Sequence, residues 1–143
     1  ADDGILKSQR ILLTWMIDDA NVLQQIRRVI RSDDFTEPLY RTVAELLYQQ
    51  MDEGLVNPAQ IMNHFSDEEE HRKVAELFHT KIRELTTREE QEKALNETVR
   101  RVKQNSLDEM ARRLEPTDIA GLQKLMEDKR ALQDAKGLHI SII

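Results

Sequence analysis

Two segments place a carboxylate three residues before a histidine: Glu68-x-x-His71 and Glu76-x-x-His79. On a helix that spacing puts both side chains on one face. Paired E-x-x-H elements build dimetal carboxylate centres in helical bundles, but only when they sit on different helices and converge. Here both fall on one expected helix, eight residues apart, among Asp67, Glu69, Arg72 and Lys73. They read as a solvated face. His64 and His139 add no ligand at zinc spacing, and the chain has no Cys. No Gly-rich phosphate loop, nucleophile elbow or Ser/His/Asp arrangement is present. The pairs Asp18-Asp19 and Asp33-Asp34 fall at helix ends and connectors, where capping and solubility account for them. No catalytic residue, cofactor or metal is expected, and the chain is read as a non-catalytic domain.

Charge narrows the partners. The net charge is -6. Ten Lys and Arg face sixteen Asp and Glu over residues 1–87, and the remaining eleven of each balance over 88–143. An acidic first part repels phosphate backbones within the screening length. Arg27, Arg28 and Arg31 form one basic cluster; Arg100, Arg101 and Lys103, extended by Arg112-Arg113, form a second. Both read as solvated faces paired with nearby Glu. Aromatic residues make up only 4% of the chain, too few for base stacking. No strong direct nucleic-acid binding is expected.

These residues must be positioned by helices. Gly and Pro are scarce and sit where helices should begin or end. Ser8 is expected to cap a first helix carrying Ile11, Leu12, Leu13, Trp15, Met16 and Ile17, and Asn21 a second carrying Val22, Leu23, Ile26, Val29 and Ile30. Thr36 followed by Pro38 opens a third, which buries Leu39, Tyr40, Val43, Leu46, Leu47 and Met51 and stops at Gly54. Asn57-Pro58 begins a short fourth with Ile61, Met62 and Phe65. Ser66 with Glu69 is a capping box for a fifth helix bearing Val74, Leu77, Phe78 and Ile82, and Thr87 with Glu90 is another. The second box opens a stretch free of Pro and Gly to Glu115, whose weakest point is Asn105-Ser106. Thr117 or Asp118 caps a last helix with Ile119, Leu122, Leu125, Met126 and Leu132, ended by Gly137. The fold class is all-α: a helical bundle over residues 1–105, then a C-terminal helical hairpin and tail over 106–143. No apolar run approaches the roughly 20 residues that cross a bilayer, and no signal peptide is visible. The chain starts without Met, which reads as a processed product or a fragment.

The order "SQRILLTWMIDDANVLQQI" and then "SDDFTEPLYRTVAELLYQQMDEGLVNPAQIMNHF" resembles the fold shared by two replication modules. One is the C-terminal helicase-binding domain of DnaG-type bacterial primases; the other is the N-terminal collar domain of the replicative helicase itself. Residues 88–143, a long helix and then a terminal hairpin, are more similar to the primase plan, and "LKSQRILL" departs from the Glu-Ala-Glu-type lead of the helicase domain. The resemblance implies a cytoplasmic, mostly monomeric docking domain. It would bind the N-terminal domains of the hexameric replicative helicase, couple priming to unwinding and stimulate the helicase.

In that family the hairpin makes a principal contact. Carried over, the partner-binding residues are Leu122, Leu125, Met126, Leu132, Leu138, Ile140 and Ile142, rimmed by Lys129 and Arg130. The competing expectation for Leu122, Leu125 and Met126 is packing against Leu107, Met110 and Leu114. For the apolar ending "GLHISII" a strand is excluded, since there is no sheet to join. Packing back onto the hairpin, contact with the helicase and disorder remain.

Overall fold

The computed structural model describes residues 3–79, 87–134 and 139–142. Six α-helices follow in order among them: α1 Asp3–Asp18, α2 Ala20–Arg27, α3 Pro38–Asp52, α4 Glu68–His79, α5 Arg88–Arg113 and α6 Ile119–Gln133. Short 3-10 helices, Ser32–Asp34 and Pro58–His64, lead into α3 and α4. The fold is all-α, and no described residue is in a strand. No helix among the described residues is long and apolar enough to cross a membrane.

Over residues 11–17 α1 is apolar at every position except Thr14, which marks a stretch of helix enclosed by others. Leu12, Leu13, Trp15 and Met16 are buried, and α1 touches α2, α3, α4 and α5. Its buried polar residues, Ser8, Gln9 and Thr14, each have a partner. The Gln9 side chain donates to Thr36 Oγ1 (2.7 Å) and accepts from the Glu37 backbone N–H (3.2 Å), fixing the entry to α3. The Thr14 hydroxyl lies 3.2 Å from the Leu77 carbonyl on α4. Ser8 is inside α1 rather than at its start, donating to the Gly4 carbonyl and accepting from Arg101 on α5.

Three other expected caps are displaced by a residue or two. Asp19, not Asn21, caps α2, accepting from the Asn21 and Val22 N–H groups. Glu37 caps α3 because the Thr36 hydroxyl is engaged by Gln9. Asp67, not Ser66, serves α4 through Glu70 N–H. Thr87 caps α5 as expected. Gly54 ends α3 at φ 83°, the left-handed conformation that glycine adopts without a Cβ penalty. Its N–H bonds to Met51, and the next N–H, of Leu55, bonds to Gln50, which satisfies the last carbonyls in a Schellman motif. The expected stop at Gly137 and the core position Ile82 lie outside the described residues; α6 ends at Gln133.

The largest departure from expectation is at Asp34 and at Ser106. Asp34 is only 3% exposed. Its carboxylate accepts from Ser106 Oγ (2.6 Å), Lys103 Nζ (2.9 Å) and the Arg31 backbone N–H (2.7 Å). Asn105-Ser106 is therefore no break: α5 runs unbroken for 26 residues, about 39 Å at 1.5 Å per residue. The expected subdomain boundary at 105 falls inside it. Nearby, the Tyr48 hydroxyl donates to the Ile30 carbonyl (2.8 Å). Burial first, then the Asp34 charge, holds that hydroxyl far above the ordinary tyrosine range, so it stays a donor.

Breaking a buried ion pair from one side leaves an uncompensated charge. Asp34→Ala should lower the unfolding free energy by about 3 kcal/mol, and Ser106→Ala by about 1 kcal/mol. Urea denaturation followed by circular dichroism reads both.

Candidate protein-docking site

The hairpin is built by the second half of α5, a turn at residues 114–118, and α6. Asp118 caps α6 by accepting from the Gly121 N–H (2.9 Å). A Cβ at Gly121 would lie 2.6 Å from Asp118 Oδ2 and 2.7 Å from Leu114 Cδ1, so a larger residue would have to displace the capping carboxylate and the Leu114 side chain. At the other end of α6, Arg100 on α5 donates to the Leu132 carbonyl (2.5 Å). That bond satisfies one of the carbonyls that every helix end leaves open.

Between these two pins the apolar residues of α6 divide. Leu125 and Leu132, each 6% exposed, pack with Leu107 of α5 into a second, small core, flanked by Val29 and Leu114. Val29 also touches the main core and so joins the two. Leu125 and Leu132 are thus interior residues and offer no surface to a partner. Ile119 (67% exposed), Leu122 (38%) and Met126 (54%) face outward. Their i, i+3, i+7 spacing puts them on one face of α6. Lys129 is half-buried and Arg130 exposed. Packing against Leu107 thus holds for Leu125, whereas Leu122 and Met126 remain outside. Ile119 was not among the expected anchors, although it is the most exposed of the three; its place at the first turn, on the side away from Leu107, is set by the hairpin contact.

The tail goes elsewhere. Leu138 lies outside the described residues. Ile140 is 2% exposed and belongs to the main core, with Ile142 packed against it. Neither packs on the hairpin, and Ile140 is closed to a partner in this conformation. Residues 140–142 lie outside any helix or strand and are gripped by side chains of α2 and α5, with successive residues bonded alternately to the two helices. Asn96 accepts from Ile140 N–H (2.7 Å) and donates to Ile140 O (2.8 Å). Gln25 does the same for Ser141, both at 2.8 Å. Glu92 accepts from Ile142 N–H (2.7 Å), and its other oxygen lies 3.5 Å from His139 Nε2. Gln25, Glu92 and Asn96 were not foreseeable, because nothing local distinguishes a helix-borne amide that meets a distant backbone from one that meets water.

The groups considered for chemistry do not converge. Glu68, His71, Glu76 and His79 are exposed along α4, and Arg72 approaches Glu76 at 3.6 Å. Among the described residues no three His, Asp or Glu come together in a way that could hold a metal ion. The basic clusters are largely bonded within the molecule. Arg27 pairs with Asp52 at 2.7 Å, lies over the Tyr48 ring and, through that hydrogen bond, holds the Asp52 carboxyl below its ordinary range. Lys103 serves Asp34, and Arg112 and Arg113 both reach Glu109. No family model, curated protein or solved structure matches the chain.

Leu125→Ala or Leu132→Ala should destabilise the hairpin by about 3 kcal/mol. Leu122→Ser and Met126→Ser should each stay within about 0.5 kcal/mol of the parent. Gly121→Ala should lower the melting temperature, even though Ala favours a helix interior by about 1 kcal/mol over Gly. Thermal and urea melts monitored at 222 nm separate the three cases.

Proposed function

We propose that this chain is a docking domain of the bacterial replisome: the C-terminal helicase-binding domain of a DnaG-type primase, working in the cytoplasm at the replication fork. The sequence order over residues 8 to about 85 and the terminal hairpin support the family. The observation that carries a docking role is the apolar face of α6. Ile119, Leu122 and Met126 stay exposed on a hairpin whose own packing is already complete through Leu107, Leu125 and Leu132.

That arrangement suits helix-in-groove recognition, in which anchors spaced i, i+3 and i+7 enter an apolar groove. Asp118, Gly121 and Arg100 hold α6 in place at both ends, so little ordering accompanies binding and more of the contact energy appears as affinity. Met126 adds an adaptable side chain, and Lys129 and Arg130 supply a basic rim beside the anchors. The partner surface is the N-terminal domains of the hexameric helicase. Binding there would hold the primase at the unwound strand and couple primer synthesis to unwinding. The domain itself performs no chemistry in this reading and binds as a monomer, without a strong direct contact to nucleic acid.

Calorimetric titration of the full chain with the replicative helicase of the same organism tests this. Saturable binding is expected. Replacing Ile119, Leu122 and Met126 together by Ser should weaken it at least 100-fold while the melting temperature is kept. Absence of binding by the parent chain would sink the functional assignment; undiminished binding by the folded triple variant would sink only the role of the α6 face.

A further inference from the structure

The grip on the tail is unusual in its chemistry. Five hydrogen bonds reach the backbone of three consecutive residues, and every one comes from a side chain of α2 or α5. In an extended chain, the N–H and C=O of one residue point to one side and those of the next residue to the other. Asn96 therefore faces Ile140 from α5, Gln25 faces Ser141 from α2, and Glu92, one turn before Asn96, returns to Ile142. The two helices stand in for the two neighbouring strands of a sheet. Among the described tail residues, 139–142, Ile140 alone is buried; Ser141 and Ile142 are half-exposed, with Ile142 packed against the same core.

We propose that the furrow between α2 and α5 is a peptide-binding site for an extended apolar-x-apolar segment of a partner protein, with residues 139–142 as its resident, displaceable ligand. Three features carry this. The bonds are to backbone, so they do not depend on which residue stands at the Ser141 position. Specificity rests on the pocket of Ile140, which a branched aliphatic residue fills, and on the core edge beside it, against which Ile142 packs. The holding groups, Gln25, Glu92 and Asn96, are themselves half-buried side chains on stable helices, so release of the tail returns them to water without unfolding a helix. One buried and one half-buried apolar side chain and five bonds work against the entropy of ordering four residues, so the gain and the cost are of similar size.

Its tether is short: only residues 135–138 separate it from the last described residue after α6, Asp134. Tethering keeps a weak ligand bound by raising its effective concentration to the millimolar range. A partner segment needs a second anchoring point on the molecule to compete, whereas the tail of another copy has no such advantage over the one already tethered. The inference does not depend on which partner docks on α6.

Ile140→Asp in the full chain should expel the tail. A fluorescent peptide copying residues 138–143 should then bind saturably, at least 10-fold tighter than to the parent chain. Adding Asn96→Ala should weaken that binding at least 10-fold. A folded Ile140→Asp chain that shows no saturable binding overturns the proposal. Hydrogen exchange on the parent chain tests it without any variant: the amides of Ile140, Ser141 and Ile142 should exchange at least 100-fold faster than that of Val99. Exchange of all four in one common opening would mean that the tail leaves only on global unfolding, and would overturn the proposal even if Ile140→Asp failed to fold. A concentration-dependent dimer of the parent that disappears in Ile140→Asp would assign the furrow to a second copy and overturn the partner segment.

Discussion

One buried carboxylate sets the course of the longest helix. Asp34 sits at the end of the short 3-10 turn after α2 and reaches Lys103 and Ser106 on α5. It also takes the N–H of Arg31, closing the turn on which it stands. Removing two charges from water is costly, and such a pair is weak evidence for net stability. What it contributes is register. Lys103 and Ser106 are three residues apart on one side of α5. When both meet the same carboxylate, the helix can neither slide nor turn relative to the bundle. No side-chain polar atom buried among the described residues lacks a partner, so the polar contacts inside this fold act as positional constraints throughout.

The hairpin follows from that constraint. With Lys103 and Ser106 held, Leu107 is aimed at α6, and Val29 of the bundle closes over the same small core. α6 has too few apolar residues to be buried on all sides, and its contact with α5 uses only the line through Leu125 and Leu132. The residues left over, Ile119, Leu122 and Met126, stand together because the pins at Asp118 and Arg100 fix the helix's rotation. An apolar group of this kind on a rigid element has the form of an interaction surface, whichever molecule fills it.

The tail shows a second way of using apolar residues outside regular structure. An extended segment has no internal backbone bonds, so burying it requires donors and acceptors from elsewhere. Two amides and a carboxylate provide them here. The furrow and the α6 face are therefore different kinds of surface: one holds backbone together with Ile140 and Ile142, the other presents side chains alone.

Much of the helical order was legible along the chain because it rests on local physics. Apolar periodicity marked the α1, α3 and α5 faces, and Gly54 and Thr87 act by bonds to residues within a turn. The displaced caps at Asn21 and Ser66 are also local in scale: each had an oxygen-bearing neighbour, Asp19 or Asp67, and the point at which the chain turns decided between them; Thr36 is instead engaged by Gln9, 27 residues away. What the sequence could not decide is which polar and apolar residues meet across large separations. Asp34 finds Ser106 across 72 residues, and Gln25 finds Ser141 across 116. By type alone Asp34 reads as a solvated cap, Asn105-Ser106 as a break, and Leu122, Leu125, Met126 and Ile140 as equivalent. The sequence by itself determined an all-α chain with a terminal hairpin, because helix formation responds to neighbours. Only the tertiary structure decided that Leu125 and Ile140 are interior and Leu122 and Met126 exterior, because burial is a property of the assembled surfaces and not of any one of them.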